Sequence, residues 1–248
     1  MRRLALLLAG VAGVAGVAGV AVAAAPGTAE ARAKVHVMVV GKGAVLAGPE
    51  RVALKARTAR VGGKRCSIGR ATPLSVLAGT GVSFSLKDYG ACSSRARDAG
   101  SLYVRRIGPD RESGTDGWVY KVGRRAGSGG AADPAGSFGT GRKLSRGQHV
   151  LWFWCVKDAA DSCQRTLEVK PARERAEPGA ALQVTVRGYD DSGDGVRVEG
   201  ALVRLGDAAA LTGADGAATL TAPAAGSYRL QAEKPGLVVS FPVRVAVG

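Results

Sequence analysis

The chain has 248 residues and a formal net charge of +15 at neutral pH, with 46% hydrophobic but only 5% aromatic residues. That length suits one or two domains. Two histidines in the whole chain leave little from which to build a catalytic triad, and no second apolar run of spanning length follows the first, so the body of the chain does not read as a membrane protein.

Met1-Arg2-Arg3 precedes an apolar run from Leu4 to Ala25. This is the charged n-region and apolar h-region of a secretory signal, and Ala29-Glu30-Ala31 and Ala31-Arg32-Ala33 both fit a small-x-small cleavage site. At about 22 residues the run could also span a bilayer. Its Ala, Gly and Val make-up, with the near-repeat GVAGVAGVAGVAV, is weakly hydrophobic for an anchor. Residues 1–33 are read as a signal peptide, with an uncleaved anchor as the alternative and the only expected membrane contact. The expected location is secreted or extracellular, associated with the cell envelope.

Export places the four cysteines in an oxidising compartment, where they pair. Cys155 and Cys163 flank a short polar turn, and Cys66 and Cys92 flank a candidate helix and strand. The expected bridges are Cys66–Cys92 and Cys155–Cys163. No Cys-x-x-Cys occurs, and His36 and His149 lie far in sequence from a second metal ligand. No metal and no cofactor is expected.

Charge divides the chain. Lys34 to Glu177 carries 26 Lys+Arg against 12 Asp+Glu, whereas Pro178 to Gly248 carries 6 against 7. A basic domain suits an anionic polymer, nucleic acid or lipid surface. An excess of Arg over Lys amid abundant Ala and Gly is also the composition of a G+C-rich genome, which needs no anionic partner.

KVHVMVVGKG reads as a strand ending at glycine, and ERVALKARTARV alternates in part. KARTARVGGKR, residues 55–65, holds Lys55, Arg57, Arg60, Lys64 and Arg65 and no acid. It is a candidate grip on phosphate-bearing wall polymers or lipid headgroups, or simply a solvated strand and turn. No aromatic residue interleaves with these charges, so nucleic acid is not expected. In ATPLSVLAG, Thr72 is a candidate N-cap, Pro73 suits the first helical position and Gly79 the stop. GVSFSLKDYG alternates as a half-buried strand. SLYVRRIG and DGWVYKVG follow as strands. Residues 123–141, rich in Gly, Ala and Ser, form a long loop, either flexible or folded over a surface.

In GQHVLWFWCV, Val150, Trp152 and Trp154 face one way and Leu151, Phe153 and Cys155 the other. Both faces are apolar, so this is a strand covered on both sides or one with a face open to a ligand. Trp118 and Tyr120 share a face of their own strand. Were the two strands neighbours, Trp118, Tyr120, Trp152 and Trp154 would form one aromatic wall, able to stack a flat ligand or a sugar. In a domain so rich in alanine and glycine, these rings are also the large side chains available for a core, and the core reading is preferred.

Two motifs in this region carry a resemblance. Gly117, Trp118 and Tyr120, followed by Leu144, Gly147, Val150 and Trp152, resemble the Gly-Trp-x-Tyr and Leu-x-x-Gly-Asp-x-Val-x-Trp strands of the transcobalamin-like C-terminal domain family. Gln148 stands where that family usually has aspartate, and the asparagine usual near the end of the first strand is absent at Val122-Gly123. The resemblance spans roughly residues 70–156. It implies a small β-grasp-like sheet with one helix, and a secreted or surface location. In the vertebrate cobalamin carriers this domain covers one side of the vitamin beside a large helical domain, which this chain lacks. Cobalamin binding therefore does not carry over by default.

PARERAEPGA, residues 171–180, reads as a linker. Short strands then recur between the turns DDSGDG, TGADG and AAG, as in an all-β sandwich. VEGALVRLGDAAALTGADGAATLTAP resembles carboxypeptidase-regulatory-like and bacterial Ig-like modules, which implies a spacer or adhesion role. Asp190, Ser192 and Asp194 begin like a calcium loop, but the twelfth position is Ala201 rather than glutamate, which favours a plain turn.

The expected fold class is mainly β: an α+β first domain (34–170) with a β-grasp-like sheet and one short helix, a linker (171–180), and an all-β Ig-like sandwich (181–248). No Gly-x-Ser-x-Gly, His-Glu-x-x-His or P-loop signature is present, so no enzymatic activity is expected. The expected function is non-enzymatic binding or adhesion at a bacterial surface, with an unknown surface or cell-envelope partner. The alternative is an extracellular carrier of a small, corrinoid-like ligand on the aromatic face.

Overall fold

The computed structural model describes residues 33–248. The signal peptide expected at 1–33 lies almost wholly outside the described residues. The protein is mainly β. No helix among the described residues is long and apolar enough to cross a membrane.

The first domain is built on a mixed five-stranded sheet. Strands β1 (Lys34–Val40), β2 (Val45–Ala53), β8 (Gly117–Val122), β9 (Arg125–Ala126) and β10 (His149–Cys155) take the order β2-β1-β10-β8-β9. The domain's first and last long strands, β1 and β10, run parallel at its centre, and every other pairing is antiparallel. This is the grasp-like arrangement expected. Two smaller sheets lie beside it: the hairpin β3 (Arg57–Val61) and β4 (Lys64–Ile68), and the ribbon β5 (Phe84–Asp88), β6 (Leu102–Ile107) and β7 (Asp110–Arg111).

The helix α1 (Pro73–Leu77) forms where its caps predict. The Thr72 hydroxyl accepts from the Ser75 N–H and the Ser75 hydroxyl accepts from the Thr72 N–H, a reciprocal cap that satisfies two otherwise orphan donors. All five helical residues are buried. Both expected disulfides are formed: Cys66–Cys92 ties β4 to the segment after β5, and Cys155–Cys163 closes the turn that leaves β10.

The second domain is a two-sheet sandwich. Strand β13 (Ala181–Tyr189) pairs along one edge with β11 (Thr166–Pro171) and along the other with β14 (Gly195–Arg197) and β17 (Ala217–Thr221). The facing sheet runs β12 (Arg175–Ala176), β19 (Val243–Val247), β18 (Gly226–Glu233), β15 (Leu202–Leu205) and β16 (Ala208–Leu211). Strict alternation drives it: in β13, Leu182, Val184 and Val186 are buried while Ala181, Gln183, Thr185 and Arg187 are exposed.

This pairing revises the expected boundaries. Thr166–Pro171, assigned by sequence to the first domain, forms six register pairs with β13 and belongs to the sandwich. The expected linker 171–180 contains β12, which runs parallel to β19, and thus carries the chain from one sheet of the sandwich to the other. The domains meet at about Arg165.

The two domains share an apolar seam. Met38, Val40, Leu151, Phe153 and Cys155 project from the outer face of the first sheet onto Val238, Val239 and Phe241 of the second domain. The tryptophan-rich strand is thus covered on both sides, by the first domain's own core and by its neighbour.

Candidate functional site

Strands β8 and β10 are neighbours, and the aromatic wall forms. Trp154 lies opposite Trp118 and Trp152 opposite Tyr120. Trp118 and Trp154 meet edge to face at 5.8 Å, and Tyr120 and Trp152 at 5.3 Å. The wall does not, however, face solvent. The four rings are 1–6% exposed in the main core, Trp152 against α1, Tyr120 under the loop at Gly129 and Ser137, Trp118 against Asp110, and Trp154 beneath the Lys42 ammonium (4.3 Å). Their polar ends are satisfied internally: Trp118 Nε1 donates to Asp110 O (2.9 Å), Trp152 Nε1 to Pro73 O (3.2 Å), and the Tyr120 hydroxyl to Gly129 O (2.7 Å). Burial pushes the Tyr120 phenol up to about 12. The candidate ligand face is therefore a core. A chain with few large side chains spends them on burial, since each aromatic ring removes far more apolar area from water than an alanine. The carrier reading loses the open wall it required.

The basic stretch divides by strand parity. Gly62 and Gly63, both at positive φ (55° and 83°), make the two-residue turn that joins β3 to β4. Val61, Cys66 and Ile68 are buried on the inner face of the hairpin. Arg57 and Lys64 lie at the two ends of that same face. Arg57 is half-buried against Gly79 just beyond α1, and Lys64 Nζ lies 3.9 Å from the Asp88 carboxylate. Arg60 and Arg65 are direct cross-strand partners on the outer face, between Thr58 and Ser67, and both are exposed. Lys55 is exposed in the connection before β3. Of the five basic residues expected to act together, the fold brings Arg60 and Arg65 side by side and disperses the other three.

Like charges directly opposite on a hairpin destabilise it by up to about 1 kcal/mol. No carboxylate among the described residues forms an ion pair with Arg60 or Arg65. Exposed Arg95 and Arg97 follow Ser93, whose carbonyl accepts from Ser67 N–H at the free edge of β4 (2.8 Å). The hairpin thus presents two guanidinium groups without an ion-pair partner, and beside its edge lie Arg95 and Arg97, the latter 3.8 Å from the Asp98 carboxylate.

The turn at 190–195 is engaged within the protein. One Asp190 oxygen accepts from Asp194 N–H (2.9 Å), and the other lies 3.3 Å from Arg165. The Asp191 carboxylate accepts from Cys163 N–H (3.0 Å). These carboxylates close a hairpin turn and dock it on the first domain.

Sequence reasoning missed the groups at the seam. Lys121 is fully buried, and its ammonium donates to Thr166 Oγ1 (3.2 Å), Tyr189 O (2.9 Å) and Asp190 O (2.9 Å), with Asp191 at 3.7 Å. Burial pushes its pKa down, opposed by the charges of Asp191 and Asp190. Three acceptors for three N–H donors hold it as a clasp between the domains. Nearby, Arg124 forms a two-pronged pair with Glu168 (2.8 and 2.6 Å), and His149 stacks on Phe241 at 4.6 Å with His36 against its edge. Burial and the neighbouring His36 hold the His149 imidazole below its usual pKa, against the pull of Glu168. The one sequence signal was a lysine on a strand otherwise apolar on both faces, GWVYKV.

No known family model matches the chain, and no curated protein matches it in sequence. Among solved structures, the D00-D0 domain of Intimin aligns at 13% identity, covering 78% of this chain and 93% of its own, with a TM-score of 0.24. A superposition at that score supports neither a shared fold nor a shared function.

Proposed function

We propose that this is a non-enzymatic binding protein, displayed or released outside the cell, whose first domain grips a phosphate-bearing anionic polymer of the cell envelope. The observation that carries the reading is the Arg60–Arg65 pair, adjacent, exposed and without an ion-pair partner among the described residues, on a disulfide-tethered hairpin. A compositional preference for arginine accounts for their number but not for their placement opposite each other. A polyanion relieves their repulsion, and guanidinium groups bind phosphate oxygens in two-pronged fashion. Two disulfides suit an oxidising location outside the cytosol, and the packed seam to the sandwich suits a displayed binding head.

The test is a binding titration on immobilised poly(glycerol phosphate), with duplex DNA and anionic vesicles as competitors. Saturable binding, weakened about tenfold or more in the Arg60→Ser/Arg65→Ser double variant, supports the proposal, since a charge-assisted contact contributes about 1.5–3 kcal/mol. Stronger binding to DNA or vesicles, or a double variant that binds like the parent, overturns it.

A further inference from the structure

The glycine-rich segment that follows β9 is folded. Gly129 N–H donates to Ser137 O (3.1 Å), Leu74 N–H to Ala131 O (2.8 Å) and Leu144 N–H to Ala71 O (2.9 Å), and the Tyr120 hydroxyl reaches Ser137 O from the core (3.2 Å). At Gly136 (φ 86°) a Cβ would stand 2.0 Å from the carbonyl oxygen of Arg142, so the two limbs of the loop touch backbone to backbone, which glycine alone allows. So many anchors argue for a built structure rather than filler, and a long loop inside a compact domain is often a binding loop.

Under this loop lies an open cavity of about 570 Å³, within the size range of small-molecule sites. Arg125, Arg142 and Lys143 line it, and no carboxylate does. The Arg125 guanidinium lies over the Phe138 ring at 5.4 Å, which holds one cation at the rim. None of the three cations has an ion-pair partner among the described residues. The nearby Asp133 carboxylate is occupied in its own turn, accepting from Ala135 N–H at 2.7 Å. Gln148 holds its amide oxygen on Ser145 N–H (2.8 Å), which leaves its NH₂ group to donate.

A second, independent sign is Ser137. It also lines the cavity, is 2% exposed, and its hydroxyl has no hydrogen-bond partner. Buried polar atoms are rarely left so, because the unmet group forfeits its hydration.

We propose that this pocket binds a small phosphate monoester carried on a hydroxylated body, such as a polyol or sugar phosphate. The three cations meet the dianion, while the Ser137 hydroxyl and the Gln148 amide meet the ligand's hydroxyl groups. The proposal does not rest on the polymer reading, because it uses none of the hairpin residues.

Calorimetric titration of the whole chain with glycerol 3-phosphate and with inorganic phosphate tests it. The expected result is one saturable site for the ester, with inorganic phosphate about tenfold weaker for want of one hydrogen-bonded body contact. Arg142→Ala/Lys143→Ala, both exposed in the parent, weakens the ester at least about tenfold. Ser137→Ala weakens the ester yet raises the melting temperature of the free protein, since it deletes an unmet buried hydroxyl; a merely structural serine would lower it. Arg60→Ser/Arg65→Ser leaves the ester affinity unchanged. Absence of saturable binding, equal affinity for ester and inorganic phosphate, a Ser137→Ala variant that is less stable with unaltered affinity, or loss of binding in the hairpin variant would each overturn the assignment.

Discussion

The two domains solve the same burial problem in different ways. The sandwich from Thr166 onward has no tryptophan and no cysteine, and its core is assembled from Val, Leu and Ala in regular alternation on two facing sheets. The first domain contains all three tryptophans and all four cysteines. It combines one large sheet with two small ones, a five-residue helix and a long folded loop, and it closes that irregular frame with an aromatic cluster and two bridges. Regular ladders hold a small sandwich by repetition. An irregular frame that keeps a loop and a charged hairpin on its surface depends on a few large contacts. Loss of single groups should therefore be felt more in the first domain than in the second.

The largest effect is expected from Trp152→Ala, which removes the largest fully buried side chain and leaves Pro73 O without its donor. The cost is about 3–5 kcal/mol, read as a fall in the denaturation midpoint. A loss under about 1 kcal/mol would return the aromatic wall to the surface. A comparable truncation in the sandwich, Val184→Ala, should cost less. Next is the Cys66→Ser/Cys92→Ser double variant. The bridge closes a separation of 26 residues, and its absence should cost about 3.5 kcal/mol on chain-entropy grounds. Cys155→Ser/Cys163→Ser, over a separation of 8, should cost about 2.5 kcal/mol; equal losses would break the ordering.

Lys121→Met tests whether the domains are clasped. It removes the ammonium's hydrogen bonds across the seam and leaves the Asp191 carboxylate without its cation, while Tyr189 O keeps the Thr166 hydroxyl (3.4 Å) and Asp190 O the Gly193 N–H (3.1 Å); the expected cost is about 2 kcal/mol, discounted for the partial exposure of Asp191. Protease cutting near Arg165 should rise with it, and an unaltered cutting rate would mean the seam holds without the lysine. The smallest effect concerns His149. Its folded pKa is depressed, so the unfolded imidazole, at about 6.5, takes up its proton first. The unfolded state thus binds more protons as pH falls below about 6.5, and stability declines from there down to the folded pKa. Between about pH 7.5 and 5.5, His149→Gln should show a smaller drop in melting temperature than the parent; an equal drop would place the titration elsewhere.

Much of this architecture was legible in the sequence. Thr72, Pro73 and Gly79 located the helix because caps act locally. Alternation in Gly81–Gly90 and in residues 181–189 located strands because facing is local too. The disulfide pairs followed from spacing. What was not legible depended on which partner an element meets. Leu167 and Val169 alternate with Thr166, Glu168 and Lys170 whichever sheet β11 joins, so its place in the sandwich left no mark on the sequence. The charged run 171–180 concealed a two-residue strand. The aromatic wall was assembled correctly from strand parity, but part of its cover, α1, is remote in the chain, and the loop that covers Tyr120 carries no periodicity to show where it folds. The basic stretch, continuous in sequence, was divided by that same parity, and the burial of Lys121 depends on the second domain, which alone covers the outer face of its strand.

The central claim is that the first domain spends its aromatics on its core and binds through charge on its hairpin. The most direct measurement is the salt dependence of binding to poly(glycerol phosphate) for the parent chain and for Arg60→Ser/Arg65→Ser. Polyanion binding weakens linearly in log–log form, with a slope near one for each phosphate neutralised. The account predicts a steep slope for the parent and one shallower by about two in the double variant. A parent affinity indifferent to salt, or identical slopes for the two proteins, would contradict it.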